Sequence, residues 1–241
     1  MATRRVKRNS DQNEKTLPIK DIRQQNNLCY YWLNKRSAAK STKKRRIYDR
    51  NYMFIFLGLN TAFRCEDLLQ LRPHDFAGGY MRIKENKTGK TQNFRMNAKV
   101  YGEIRDYCDR NDIQEYDYLF QSQRSDGIIG AITRQQAHKV MKEGCAHVGI
   151  RYKVGPHSLR KTFGYNYMRN GGNIYTLMKM YNHSSTDTTQ LYIMWTTDET
   201  EKERMAIFNG VASRIGREKE NMVCHSLPSV IFLFIYSSFL L

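Results

Sequence analysis

His157 and Arg160 stand three residues apart in Pro156-His157-Ser158-Leu159-Arg160. On a helix that spacing puts an imidazole and a guanidinium on one face, where they can meet a single ligand. A guanidinium grips phosphate oxygens through paired charge-assisted hydrogen bonds, and an imidazole near neutral pH can take a proton from a hydroxyl. Taken alone the pair also describes an ordinary surface patch. It is not alone: His183 and Tyr192 follow in Asn182-His183-Ser184-Ser185-Thr186-Asp187-Thr188-Thr189-Gln190-Leu191-Tyr192, and Arg64 precedes a helical stretch far upstream. A phenol is a weak nucleophile near neutral pH, so a reacting tyrosine needs a proton acceptor beside it.

The charge balance points to an anionic partner, without separating DNA from RNA or an anionic membrane. Lys and Arg total 40 against 23 Asp and Glu, a net charge of +17, and an excess of that size attracts phosphate backbones by steering and counterion release. Nucleic acid is therefore the default partner. The five cysteines, Cys29, Cys65, Cys108, Cys145 and Cys224, contain no Cys-x-x-Cys pair, which argues against a zinc site and a disulfide framework. No secretory signal is visible at the N-terminus. The apolar stretch Leu227 to Leu241 falls short of the roughly 18 residues of a membrane span. A cytoplasmic protein without a membrane role is expected.

The positioning elements follow from periodicity and punctuation. Helical segments fit Ile19 to Leu33, Tyr48 to Leu59, and Arg64 to Leu71, the last ended by Pro73, which cannot donate the next backbone hydrogen bond. Tyr80–Lys84 and Gln92–Met96 form a hairpin around a Gly-containing turn, Glu85-Asn86-Lys87-Thr88-Gly89-Lys90-Thr91. Helices are expected at Ala98–Arg110, at Thr133–Val148 with Thr133 and Gln136 at capping-box spacing, and at Pro156–Arg169, Ile174–Met180, Thr186–Trp195 and Thr200–Ile215. The class is α+β, mostly helical with one small antiparallel sheet. A straight helix through His183 and Tyr192 would separate them by roughly 13 Å, too far to share one phosphate. That predicts a bend or break between the Ser184-Ser185 cap and Tyr192, leaving the tyrosine segment free to move.

The ordered set resembles the tyrosine recombinase, or phage integrase, family. Its pattern is an arginine in a Thr-Gly-Leu-Arg-like box, a hairpin lysine, His-x-x-Arg, a Leu-Gly-His-like box and a tyrosine. The matching residues are Arg64, Lys87, His157, Arg160, His183 and Tyr192, and Arg160, His183 and Tyr192 are spaced as is typical of the family. Asn86-Lys87-Thr88-Gly89-Lys90 is similar to the Lys-Thr-Gly turn of phage integrases. Two departures are Ala62-Phe63 in place of Gly-Leu before Arg64, and Tyr181-Asn182 in place of Leu-Gly before His183.

The resemblance implies a fold of the DNA breaking-rejoining enzymes and strand transfer through a 3′-phosphotyrosyl bond, with no metal or nucleotide cofactor. Attack on a phosphodiester builds charge on the nonbridging oxygens, which Arg64 and Arg160 would stabilise. Tyr192 would be the nucleophile, His157 its proton acceptor and His183 a hydrogen-bond partner of the phosphate. Lys87 would protonate the leaving 5′-oxygen, with Lys90 as substitute. Backbone contacts to double-stranded DNA would fall to Lys84, Lys90, Arg95 and the run Lys43-Lys44-Arg45-Arg46. The implied assembly is a homotetramer docked through C-terminal segments. The expected division is a disordered basic arm at 1–16, a helical and basic lead-in at 17–47 without a complete DNA clamp, a catalytic domain at 48–215 and a tail at 216–241. The short chain also resembles fimbrial phase-switch invertases, so integration, excision and inversion all stay open. The rival readings are a non-catalytic DNA-binding relative and a type IB topoisomerase.

Overall fold

The computed structural model describes residues 16–86, 89–123 and 129–205. Helices α1 (Ile22–Ala38) and α2 (Thr42–Asn60) open the fold, capped by the side chains of Asp21 and Ser41, which accept hydrogen bonds from first-turn amides. A short α3 (Cys65–Leu69) and a 3₁₀ turn (Pro73–Gly79) lead into β1 (Tyr80–Lys84) and β2 (Thr91–Arg95). These strands pair antiparallel with Tyr80 opposite Arg95 and Lys84 opposite Thr91. Met81 and Ile83 face inward, and the alternate residues face water. Then come α4 (Ala98–Asn111), a second antiparallel pair β3 (Gln121–Gln123) and β4 (Ile129–Ala131), α5 (Arg134–His147), α6 (Pro156–Arg169), α7 (Ile174–Tyr181) and α8 (Thr186–Ile193). The capping box of Thr133 and Gln136 forms as its spacing predicts.

The main apolar cluster contains Ile19, Leu28, Trp32, Phe54, Leu57 and Phe120 among its buried members. Each side chain of that size contributes about 1.5–3 kcal/mol on burial. Asp49 ties three helices together beneath it, accepting from Arg36 of α1 and from Arg110 and Asn111 of α4. Burial pushes the Asp49 carboxyl up, but these donors outweigh it and hold the group below its ordinary value.

Four features differ from the sequence reading. Residues 17–47 are not a mere lead-in, because Ile19, Leu28 and Trp32 belong to the same core as the rest, and α2 starts at Thr42. The main compact unit runs to Thr196, with α9 (Thr197–Met205) in a second unit. There are two small antiparallel sheets rather than one among the described residues. The helix expected from Arg64 to Leu71 is shorter, with Arg64 at its N-cap and Gln70 at its C-cap. The basic arm before Thr16 and the whole tail at 216–241 lie outside the described residues, as does the part of the helix expected at Thr200–Ile215 beyond Met205. No described helix is long and apolar enough to cross a membrane.

Candidate active site

Arg160 lies on the inner side of α6 and is 3% exposed. Its guanidinium donates to the carbonyls of Ala62 and Tyr181, the latter at 2.9 Å. The flat cation also stacks 4.4 Å from the Tyr181 ring centroid, an arrangement that favours Arg over Lys. Arg64, half-buried at the start of α3, donates to the same Tyr181 carbonyl at 3.2 Å and forms a 2.8 Å ion pair with Glu85. One backbone oxygen therefore gathers two guanidiniums whose residues are far apart in the chain. In the Ala62-Phe63 departure the Phe63 ring packs 6.1 Å from Phe94 on β2, whereas the Ala62 carbonyl that accepts from Arg160 is a main-chain group any residue would supply.

The second departure places His183. Asn182 closes α7 in the left-handed region, φ 53°, a conformation that Asn tolerates better than most side chains. His183 then lies in the connection before α8, whose cap is Ser185. The expected break inside the Ser185–Tyr192 stretch is absent, since α8 runs unbroken past Tyr192. The turn comes earlier, at Asn182–Ser185, and it solves the distance problem because His183 never joins the helix. The rings of His183 and Tyr192 meet edge to face with centroids 5.2 Å apart, and both pack on Tyr181.

The protonation states follow from neighbours. The Thr189 hydroxyl lies 3.1 Å from both the Ser185 carbonyl and His183 Nδ1; when it donates to the carbonyl, Nδ1 is the donor in the contact with Thr189. That tautomer leaves Nε2 with its lone pair. Burial, then the charges of Arg160 and Arg64, lower the His183 pKa from 6.5 to about 4, so the ring is neutral at physiological pH. Burial raises the Tyr192 phenol above its ordinary value, while Arg160 and Arg64 pull it partly back. Tyr192 is half-buried.

His157 sits on the outer side of the first turn of α6. Loss of water around its ring, then the charges of Arg134 and Arg160, push its pKa down. It makes no hydrogen bond or ring contact with Tyr192 among the described residues, whereas His183 does touch that ring. Lys87 lies outside the described residues. Lys90 lines an open cleft with Met178, Lys179, Asn182, His183 and Ser184, which brings it to the edge of the site. Lys84 and Arg95 share the exposed face of the β1–β2 hairpin, and Lys43, Lys44, Arg45 and Arg46 are exposed on the first turns of α2.

Three participants escaped the sequence reading. Tyr181 supplies the shared carbonyl, and Glu85 holds Arg64. Lys161, buried, donates to the Thr16 carbonyl and stands 5.2 Å from the Tyr192 ring centroid. A carboxylate within the basic hairpin, and a lysine directly after Arg160, were the available signals. Nothing in the sequence points to a backbone carbonyl.

The phage integrase family model matches residues 33–199. The chain belongs to the phage integrase family. This integrase-family chain is 30% identical over 195 residues to the probable integrase/recombinase YoeC of Bacillus subtilis, covering 80% of itself and 97% of that protein. It is 28% identical over 177 residues to the tyrosine recombinase XerA of Pyrococcus furiosus, covering 73% of itself and 59% of the relative. Its fold matches XerH site-specific recombinase, solved bound to palindromic difH substrate as a post-cleavage complex. That match has a TM-score of 0.57 at 20% identity, over 74% of this chain and 50% of the other. Against these two Xer proteins the chain thus spans half to three-fifths of their length.

Proposed function

We propose that this chain is a site-specific DNA recombinase that cuts and rejoins double-stranded DNA through Tyr192. The observation that carries the reading is the convergence of Arg64 and Arg160 on one carbonyl oxygen next to the Tyr192 and His183 rings. A scissile phosphate entering there would exchange carbonyl acceptors for nonbridging oxygens, and both cations would stabilise the charge that builds on them.

In the proposed step a bond forms between the Tyr192 hydroxyl oxygen and phosphorus as the bond from phosphorus to the 5′-oxygen breaks. The phenol proton passes to His157, and the 5′-oxygen takes a proton from Lys87, with Lys90 in reserve. The link formed is a 3′-phosphotyrosine, which stores the bond for the later attack of another 5′-hydroxyl. Tyr192 rests against His183 and Tyr181, so handing its proton to His157 requires α8 to shift. That α8 has eight residues, of which only Thr189 and Ile193 are buried, supports such a movement. A phosphate beside His183 would oppose the arginine charges and restore the proton with which Nε2 donates to it. Lys84, Arg95 and the basic turns of α2 would track the flanking backbone. Tetramer assembly through C-terminal segments completes the proposal and involves residues beyond Met205.

The test is a nicked suicide duplex, which traps the covalent intermediate, run on denaturing gels. A DNA adduct that disappears in Tyr192→Phe is expected. DNA binding without an adduct would replace the recombinase with a passive binder.

A further inference from the structure

Glu85 occupies a place that the roles above leave unused. It follows β1 at the base of the hairpin turn, and its side chain is 0% exposed. One carboxylate oxygen, Oε2, accepts from the Arg64 guanidinium and from the Asn182 side-chain amide, each at 2.8 Å. The other, Oε1, accepts from Nε2 of Gln92 on β2. Its backbone closes the turn as well, donating to the Lys90 carbonyl at 3.0 Å and accepting from the Gly89 amide at 2.9 Å. A single acid thus joins the start of α3, both hairpin strands and the connection that carries His183.

A carboxylate beside a phosphate-binding cation is costly unless it is fixed away from the phosphate, because like charges repel and a buried charge must be fully paired. Glu85 meets that condition: side-chain donors from Arg64, Asn182 and Gln92 engage both of its oxygens, and it grips Arg64 through Nη1 while Nη2 points to the Tyr181 carbonyl that Arg160 shares. An arginine held at two nitrogens by two acceptors has its plane fixed. Asn182 fits the same scheme, since it serves the left-handed turn with its backbone and Glu85 with its side chain.

We infer that Glu85 is a positioning residue for strand cleavage, orienting the Arg64 guanidinium and coupling the hairpin and the His183 connection to it. This role rests on the recombinase reading and falls with it. A misplaced guanidinium loses transition-state stabilisation more than DNA affinity, which many backbone contacts share.

The experiment measures the rate of Tyr192 adduct formation on the suicide duplex at saturating DNA, the half-saturating DNA concentration, and the melting temperature. The full chain is used as wild type, Glu85→Gln, Arg64→Ala and the double variant, with Tyr192→Phe as control. Glu85→Gln is expected to cleave roughly 10- to 100-fold more slowly with half-saturation and melting temperature nearly unchanged. In the Arg64→Ala background the same change should cost less than about twofold, because residues acting through one another are not additive. Cleavage at the wild-type rate, a full multiplicative loss in the double variant, or a loss that parallels the melting temperature would each overturn the role. Glu85→Asp carries the same cycle if Glu85→Gln does not fold, since it keeps the charge but withdraws the carboxylate by one methylene. A wild type that forms no Tyr192-dependent adduct refutes the recombinase reading. A normal adduct with indifferent Glu85 variants refutes only the positioning role.

Discussion

Two apolar clusters divide the work of this molecule. The larger extends from Ile19 to Leu159 and draws on α1 to α6, with fully buried Trp32, Phe54 and Phe120 locking helices to one another. The smaller has four buried members, Met168, Leu177, Tyr181 and Ile193, and the groups with chemistry lie on it or at its margin. Around the first, polar groups such as Asp49 tie helix to helix. Around the second, guanidiniums rest on backbone carbonyls and aromatic rings meet edge to face; under the proposed function a phosphate would take the place of the carbonyl acceptors. The contrast suggests that stability and reactivity are held by separate sets of contacts, with α6 the element common to both.

The widest break in that division is predicted for the large cluster. Trp32→Ala removes a fully buried side chain packed against Gly144 and should lower global stability by about 3–5 kcal/mol. Chemical denaturation measures the loss, and at low temperature the folded fraction should still cleave suicide DNA at near the wild-type rate. A cleavage defect in that fraction would mean the clusters are not separate.

The reverse dissociation is expected at Gly164, where α6 packs directly on Tyr181 and Ile193. A Cβ there would lie 2.7 Å from Cγ2 of Ile193 and run into the Tyr181 phenol. Gly164→Ala should cost about 1–3 kcal/mol of stability by overpacking, and adduct formation should fall further than the melting temperature accounts for. Loss of protection at α8 amides in hydrogen exchange, with α1 and α2 amides unaffected, would locate the damage.

Within about pH 5–7, where only part of the titration is sampled and solvent screens the half-exposed ring, the smallest effect is electrostatic. His183 has its pKa lowered from 6.5 to about 4, so the unfolded chain binds a proton there before the folded one does. Stability linked to His183 is fully present above pH 6.5 and is lost as pH falls from 6.5 toward 4. Equilibrium denaturation from about pH 7 to 5 should show a decline that His183→Gln flattens. An identical decline in the variant would assign it to other groups. His157 is lowered in the same direction, so a partial residual slope is expected.

Amino-acid order was enough for the elements that repeat a local rule. Apolar spacing and caps such as Thr133 with Gln136 placed α4 and α5, the inward Met81 and Ile83 matched the β1–β2 hairpin, and the succession Arg64, His157, Arg160, His183, Tyr192 carried the family. The pair β3–β4 escaped because Gln121-Ser122-Gln123 has no apolar alternation to betray a strand. Nor did spacing reveal that the turn before α8, rather than a kink within it, brings His183 to Tyr192. Which imidazole lies against the phenol, which carbonyl collects the two guanidiniums and which acid fixes Arg64 all depended on distant segments meeting. Such contacts end on backbone oxygens or on single residues without periodicity. Folding creates them by packing α3, the hairpin, α6 and α7 together, and no local pattern encodes that meeting.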